Sequence, residues 1–139
     1  MRVLVDTNVL ISALVFRRRP RELLIRLLEA GHEILVTSYI DREFYRILYQ
    51  KWPQTAYTVY HYYRQLPFSF QKSTDKKLGS LRDAKDIPVL SDAIFYHVDV
   101  ILTGDRDFLE AGLTHPAALS PSTLWERLER EASSAADSQ

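Results

Sequence analysis

Hydrophobic residues in this chain fall into short continuous runs, separated by longer stretches in which they recur at helical intervals. The short runs predict five strands, at residues 3–5, 33–37, 68–70, 98–103 and 117–119. Between them, apolar residues repeat every three or four positions, as at Leu23, Leu24, Leu27 and Leu28, which is typical of amphipathic helices. The predicted helices cover residues 9–16, 20–30, 39–50, 54–65, 88–95, 106–112 and 120–130.

Strands and helices alternate along the chain, and this order predicts the fold class. It indicates a three-layer α/β/α architecture with a central, mainly parallel sheet of four to five strands. Residues 72–85 are polar and charged, and we predict a loop there. We expect residues 1–131 to form one domain, followed by a flexible tail at residues 132–139, which are mostly small and polar.

Composition narrows the possible chemistry. The 139 residues contain no cysteine, which excludes a disulfide scaffold, a cysteine-ligated zinc site and a thiol nucleophile. The 18 basic and 18 acidic residues give zero net charge, so a polyanion must be held by a local patch rather than by the whole molecule. No apolar run approaches the ~20 residues that span a bilayer. We therefore expect a soluble, cytoplasmic protein.

Four acidic residues lie where a parallel sheet would bring them together. Asp6 ends the first strand, Asp105 follows the fourth, Asp86 precedes the helix before that strand, and Glu43 is on the inner face of the helix after the second strand. Ligands of such folds bind at the carboxyl edge of the sheet. Clustered carboxylates raise one another's pKa unless a cation lies between them. A hard dication, Mg²⁺ or Mn²⁺, fits this oxygen-rich set.

The sequence around these acids resembles the PIN-domain nucleases. The resemblance is carried by residues 3–12 (VLVDTNVLIS), residues 82–90 (RDAKDIPVL) and residues 98–109 (VDVILTGDRDFL), and it extends over about residues 1–127. Glu43, within residues 41–48 (DREFYRIL), matches the second acid of that family. By this resemblance Asp6, Glu43, Asp86 and Asp105 are the catalytic, metal-binding acids.

The resemblance implies a Mg²⁺- or Mn²⁺-dependent endoribonuclease that leaves a 5′-phosphate and a 3′-hydroxyl. The toxins of VapBC-type toxin–antitoxin pairs are the most similar in appearance, which implies RNA as substrate, an antitoxin as partner and a possible homodimer. Asn8 would orient Asp6 or a metal-bound water, Thr103 would place a hydroxyl near the metal, and Asp107 would be an additional or supporting acid. Two alternatives keep the same fold: an RNA-processing or DNA-repair nuclease without an antitoxin, and a non-catalytic RNA-binding scaffold.

The sequence leaves three points open. Asp83 and Asp92 both compete with Asp86 for the third acidic position, and the number of metal ions is not fixed. Asp92 lies about 240° around the helix from Asp86, so we expect it to be exposed or to lie behind the metal ligands. The run Arg17, Arg18 and Arg19 is either a solvated loop or a contact for RNA phosphate or an acidic antitoxin segment.

The tyrosines of residues 57–63 are a further cluster without a fixed role. We expect them to belong to the core or to a dimer surface rather than to a base-stacking platform.

Overall fold

A five-stranded parallel sheet forms the centre of the molecule. The computed structural model describes residues 1–137. The strands are β1 (Arg2–Val5), β2 (Glu33–Thr37), β3 (Ser69–Gln71), β4 (Val100–Leu102) and β5 (Ala117–Leu119). They are ordered β3-β2-β1-β4-β5, and every neighbouring pair is parallel. The predicted fold class is therefore confirmed.

The central strands are buried on both faces, which explains why they appear in the sequence as unbroken apolar runs. Val3, Leu4 and Val5 of β1 are fully buried, as are Ile101 and Leu102 of β4. Val3 pairs with Val100 on one side and with Ile34 on the other. The chain first adds β2 and β3 to one side of β1 and then returns to add β4 and β5 to the other. The sheet order thus reverses between β1 and β4, the position at which open α/β sheets form their ligand crevices.

Seven α-helices surround the sheet in the described part of the chain. They are α1 (Thr7–Leu14), α2 (Arg19–Glu29), α3 (Ser38–Lys51), α4 (Ala56–Arg64), α5 (Ile87–Phe95), α6 (Arg106–Leu109) and α7 (Pro121–Asp137). A short 3₁₀ turn, Ala84–Asp86, leads into α5. Pro20 lies in the first turn of α2, and Gly31 follows that helix with a φ of +83°, a left-handed conformation that favours glycine. Within residues 1–137 no helix has the length and apolar character needed to cross a membrane.

Helix α7 is longer than the sequence predicts. Its last buried residue is Leu128, and no apolar periodicity marks its course beyond that point, so the predicted end near Arg130 is too early. Arg127 and Glu131 form an i,i+4 ion pair, and the alanines that follow favour helix. Residues 132–137 of the predicted tail continue the helix in an exposed position, and residues 138–139 lie outside the described residues.

A candidate acidic metal centre

A cavity of about 310 Å³ opens at the carboxyl edge of the sheet, where the strand order reverses. All four acids proposed as ligands contribute to its lining: Asp6, Glu43, Asp86 and Asp105. They reach it from four separate elements, namely the end of β1, helix α3, the 3₁₀ turn and the turn after β4. The fold thus brings together carboxylates that lie far apart in the sequence.

Asp6 is the most enclosed of the four, with 7% of its surface exposed. Its carboxylate caps α1 by accepting a hydrogen bond from the Thr7 amide at 2.9 Å. It also accepts one from the Thr103 hydroxyl at 2.8 Å and a longer one from the Asn8 side-chain amide at 3.4 Å. Burial raises the pKa of Asp6, and the charges of Glu43 and Asp105 raise it further, although the bonds from Thr103 and Thr7 act in the opposite direction.

Thr103 and Asn8 connect the two turns that carry Asp6 and Asp105. Thr103 is fully buried, and its hydroxyl donates to Asp6 while accepting from the Asp105 amide at 3.0 Å. The side-chain oxygen of Asn8 accepts a hydrogen bond from the Gly104 amide at 3.1 Å. Asn8 and Thr103 thus fix the first and last acids relative to each other.

The surroundings of Asp86 are unfavourable for a negatively charged carboxylate. It lies at the end of the 3₁₀ turn, and its buried oxygen Oδ2 has no hydrogen-bond partner among the described residues. Burial, followed by the charges of Asp105, Asp83 and Asp6, raises the pKa of Asp86 to about 7. A carboxylate in this position is stabilised either by a proton or by a cation.

Asp83 and Asp107 lie beside Asp86. Each of these three aspartates places one carboxylate oxygen within 4.8 Å of the other two. Asp83 also lines the acidic cavity, and its side chain caps the 3₁₀ turn by accepting from the Lys85 amide at 3.0 Å. The Asp107 amide donates a hydrogen bond to the Asp105 carboxylate, and the Asp107 carboxylate forms an ion pair with Arg82.

Of the two positions expected for Asp92, exposed or behind the metal ligands, the exposed one is wrong. Asp92 is fully buried rather than exposed, and it is not among the residues that line the acidic cavity. Its carboxylate accepts hydrogen bonds from the Ser73 hydroxyl at 2.6 Å and the Thr74 amide at 2.9 Å, so it anchors the loop after β3. The helical spacing correctly separates Asp92 from the face of Asp86. The burial could not be read from α5 alone, because a distant loop covers the residue.

Tyr39 and Lys85 also line the cavity, and sequence reasoning assigned neither of them a role. The Tyr39 hydroxyl donates a weak hydrogen bond to the Lys85 carbonyl at 3.4 Å. Partial burial raises the pKa of Tyr39, as do the charges of Glu43 and Asp86. One signal was present in the sequence, because Tyr39 lies four residues before Glu43 and thus on the same helix face.

The arginine run lies apart from this site. Arg17 and Arg18 lie beyond the far end of α1, Arg19 begins α2, and all three are exposed. Helix α1 has eight residues and is roughly 12 Å long at 1.5 Å per residue. None of the three lines the acidic cavity. Arg18 stacks over the ring of Phe16 at 5.0 Å.

The tyrosine cluster is divided between core and surface. Tyr63 is fully buried and donates to Asp41 at 2.8 Å, whereas Tyr57 is 68% exposed and Tyr62 is 46% exposed. The first is a core residue as expected, and the other two leave an aromatic surface on α4.

Comparison with known proteins gives the family. Residues 2–107 match the family model described as a PIN domain. No curated protein matches the chain by sequence. The fold is similar to a chain of VapBC2 from Rickettsia felis, solved with a DNA fragment from the promoter (TM-score 0.70, 14% identity, 86% of this chain and 98% of that chain).

A second solved structure is VapC20 from Mycobacterium tuberculosis, described as a toxin that cleaves the sarcin–ricin loop. It is similar with a TM-score of 0.58 and 11% identity, over 81% of this chain and 97% of that chain. At 14% and 11% identity, these two structures support the fold alone. The family model covers most of this chain, including the four acids of the cavity. On these grounds the chain belongs to the PIN domain family.

Proposed function

We propose that this protein is a metal-dependent endoribonuclease and the toxin of a toxin–antitoxin pair. The observation that carries the proposal is the convergence of Asp6, Glu43, Asp86 and Asp105 on one cavity, with a buried, unpartnered oxygen on Asp86. Negative charge gathered in this way is costly for the fold unless a cation or protons neutralise it. A site of this kind is characteristic of catalysis rather than of structural support.

The residues present fit a hard divalent cation. All four proposed ligands are carboxylates, and Asp83 and Asp107 offer further oxygens beside Asp86. Oxygen-only donor sets suit Mg²⁺ and Mn²⁺. Asp6, Glu43, Asp86 and Asp105 would hold such a dication, which would supply Lewis acidity toward a phosphate and lower the pKa of a bound water.

The chain's own groups have distinct tasks around this centre. The bonds from Thr103 and the Thr7 amide hold the Asp6 carboxylate in one orientation. A cavity carboxylate accepts the proton released from the attacking water. Lys85, at the rim of the cavity, places a positive charge near the site at which a substrate phosphate would bind.

The proposal also names RNA as the substrate and an antitoxin as the protein partner. They are supported by the likeness to VapC20, described as a toxin that cleaves the sarcin–ricin loop, and to VapBC2. Exposed tyrosines on α3 and α4, among them Tyr45, Tyr49 and Tyr57, offer a surface for a homodimer. A toxin acting on cellular RNA would work in the cytoplasm.

Cleavage of RNA by the purified protein tests the enzymatic part. We expect Mg²⁺ or Mn²⁺ to support cleavage and EDTA to stop it. Asp105→Asn should lower the rate by at least about a hundredfold, since loss of a ligand removes several kcal/mol of transition-state stabilisation. Asparagine is also a good helix cap, so the start of α6 should be retained.

Asp99→Asn is the matched control, because it makes the same change of charge at the opposite end of β4. Asp99 accepts a hydrogen bond from the Arg2 amide, away from the cavity. We expect this variant to cleave RNA at the wild-type rate. Undiminished cleavage by Asp105→Asn, or in EDTA, would contradict the proposed mechanism. For the toxin role, expression of the wild-type chain should arrest growth and Asp105→Asn should not.

A further inference from the structure

Residues 72–85, here called the basic segment, form the long connection from the end of β3 into the 3₁₀ turn. The segment carries Lys72, Lys76, Lys77, Arg82 and Lys85 against Asp75 and Asp83, a net charge of +3 in a chain whose net charge is zero. Long irregular connections of this kind in compact domains are usually functional or disordered. Hydrogen bonds to neighbouring helices argue here for an ordered, functional segment.

Two buried side chains of α5 hold the basic segment in place. Asp92 accepts from the Ser73 hydroxyl at 2.6 Å and the Thr74 amide at 2.9 Å. Ser91 accepts from the Leu78 amide at 2.8 Å and donates to the Leu78 carbonyl at 3.1 Å. Burying a carboxylate without a cationic partner is costly, and within residues 1–137 Asp92 has no ion pair. That cost is offset only while the basic segment is in position.

Helix α3 holds the same segment from the other side. The Ser73 amide donates to the Ser38 hydroxyl at 2.9 Å, and the Tyr39 amide donates to the Ser73 hydroxyl at 2.9 Å. Tyr39 itself lines the acidic cavity. The start of the basic segment is therefore fixed next to the helix that supplies Glu43.

The far end of the basic segment runs along the rim of the acidic cavity. Lys85 lines that cavity, and Arg82 forms an ion pair with Asp107. Ser80, Leu81 and Arg82 line an adjoining hollow of about 330 Å³ together with Asp107. The segment thus leads from α3 to the acidic aspartates.

The lysines of the basic segment are exposed and free of acidic partners. In the described part of the chain, Lys72, Lys76, Lys77 and Lys85 have no carboxylate within 4.0 Å. Of these four, Lys85 lines the acidic cavity, and Lys72 lines a separate hollow with Asp41 and Arg64. Unpaired cations on a segment that ends at a cavity able to hold a scissile phosphate suit a ligand with further phosphates along its backbone. The arginine run Arg17–Arg19 lacks this continuity, because it lies at the other end of α1.

We propose that the basic segment is a binding site for the RNA backbone next to the acidic cavity, and that Asp92 is the positioning residue that keeps it there. This inference rests on the proposed ribonuclease function. Its contacts are to phosphates, so it contributes affinity and register without selecting sequence. Asp92 acts through the loop and does not touch the reacting atoms.

The salt dependence of RNA binding tests the lysines. A fluorescein-labelled single-stranded RNA of mixed sequence is titrated with the full chain in EDTA, so that binding is measured without cleavage. The variant Lys72→Gln, Lys76→Gln, Lys77→Gln should bind more weakly. Its plot of log affinity against log salt should be shallower by about 2, since each phosphate contact to a single strand contributes about 0.7.

The matched control removes three positive charges elsewhere, by Lys51→Gln, Arg127→Gln and Arg130→Gln. We expect the control to keep the wild-type slope. A wild-type slope in the lysine variant, or an equal loss in both variants, would overturn the inference. Loss of antitoxin binding with an unchanged RNA slope would also overturn it and assign the segment to the protein partner.

Asp92 is tested by two substitutions. Asp92→Ala should lower the slope as the lysine variant does and should raise KM more than it lowers kcat. Asp92→Asn should recover most of the wild-type behaviour, because its amide can still bond to Ser73 and Thr74. A wild-type slope in a folded Asp92→Ala protein would remove Asp92 from the proposal. If Asp92→Ala does not fold, Ser73→Ala tests the same contact from the loop, because it removes the hydroxyl that donates to Asp92. A wild-type slope in Ser73→Ala would then remove Asp92 from the proposal.

The two proposals fail in different ways. A wild-type chain that neither binds nor cleaves RNA refutes the ribonuclease function. A wild-type chain that cleaves RNA, with the lysine variant indistinguishable from it in slope and KM, refutes only the role of the basic segment.

Discussion

A single buried hydroxyl, that of Thr103, joins the first and last acids of the site. It donates to Asp6 and accepts from the Asp105 amide. Its bond to Asp6 lowers the pKa of that carboxyl, against the raising effect of burial. One side chain therefore influences both the charge of Asp6 and the shape of the turn that carries Asp105.

Replacement of Thr103 by valine tests this coupling. Valine keeps the shape but removes the hydroxyl, so Asp6 loses a donor and the Asp105 amide loses its acceptor. We expect kcat/KM for RNA cleavage to fall about 10- to 100-fold. The free energy of unfolding should fall by about 1–3 kcal/mol. Thr103→Ser keeps the hydroxyl and should stay close to wild type in activity. Wild-type cleavage by Thr103→Val would contradict the coupling.

For single residues, the sequence predicted the positions of those at strand ends but not the burial of those covered by loops. Asp6 and Asp105 follow apolar runs that end at the carboxyl edge of the sheet, so the strand-end rule places them together. Asp92 shows the limit of such reasoning. Its burial depends on Ser73 and Thr74, which come from an irregular connection whose path no periodicity encodes.

Among the elements, strands and inner helix faces were predictable because burial determines their composition. Strand β1 and its neighbour β4 are enclosed on both sides, which leaves continuous apolar runs in the sequence. The end of α7 could not be predicted in the same way, because its last turns are exposed and any good helix-forming residues would suffice.

The path of the basic segment over α5 depends on Gly79. Its φ is +76°, and a Cβ there would lie 2.7 Å from Cδ2 of Leu90 and 2.9 Å from Cδ1 of Ile94. Glycine at this position therefore provides both a left-handed backbone and a close approach between loop and helix.

Gly79→Ala should destabilise the protein more than Gly31→Ala. Gly31 has a similar φ of +83°, but a Cβ added there would meet no atom within 4 Å, so its substitution introduces only backbone strain of about 1–2 kcal/mol. Gly79→Ala adds the displacement of Leu90 and Ile94. Urea unfolding of both variants gives the two free energies. Equal losses would show that the loop gives way without cost.

In the molecule as a whole, the four acids meet only in the folded state. Asp86, with a pKa raised to about 7 from 3.8, binds a proton more tightly when folded than when unfolded. The unfolded chain therefore releases this proton at lower pH, and stability falls as the pH rises between those two values. The raised pKa of Asp6 acts in the same direction.

Thermal melting against pH checks this linkage. In EDTA, the contribution of Asp86 should lower the Tm between about pH 4 and pH 7, the range between its unfolded and folded pKa values. Mg²⁺ or Mn²⁺ should restore the Tm at pH 8, because a ligand that binds only the folded state stabilises it. Asp86→Asn should reduce the fall in EDTA and the response to metal. The exposed Asp75→Asn makes the same change of charge and should do neither. An unchanged pH profile in Asp86→Asn would refute the linkage.

The two sides of the cavity differ in how firmly their acids are held, because Asn8 and Thr103 form hydrogen bonds on one side only. Asp6 and Asp105 are locked into one stiff unit, whereas the Glu43 carboxylate makes no hydrogen bond to any described residue and Asp86 keeps one oxygen unsatisfied. Substitutions in α3 or the 3₁₀ turn would therefore change the charge of the cavity without breaking the hydrogen bonds that join the ends of β1 and β4.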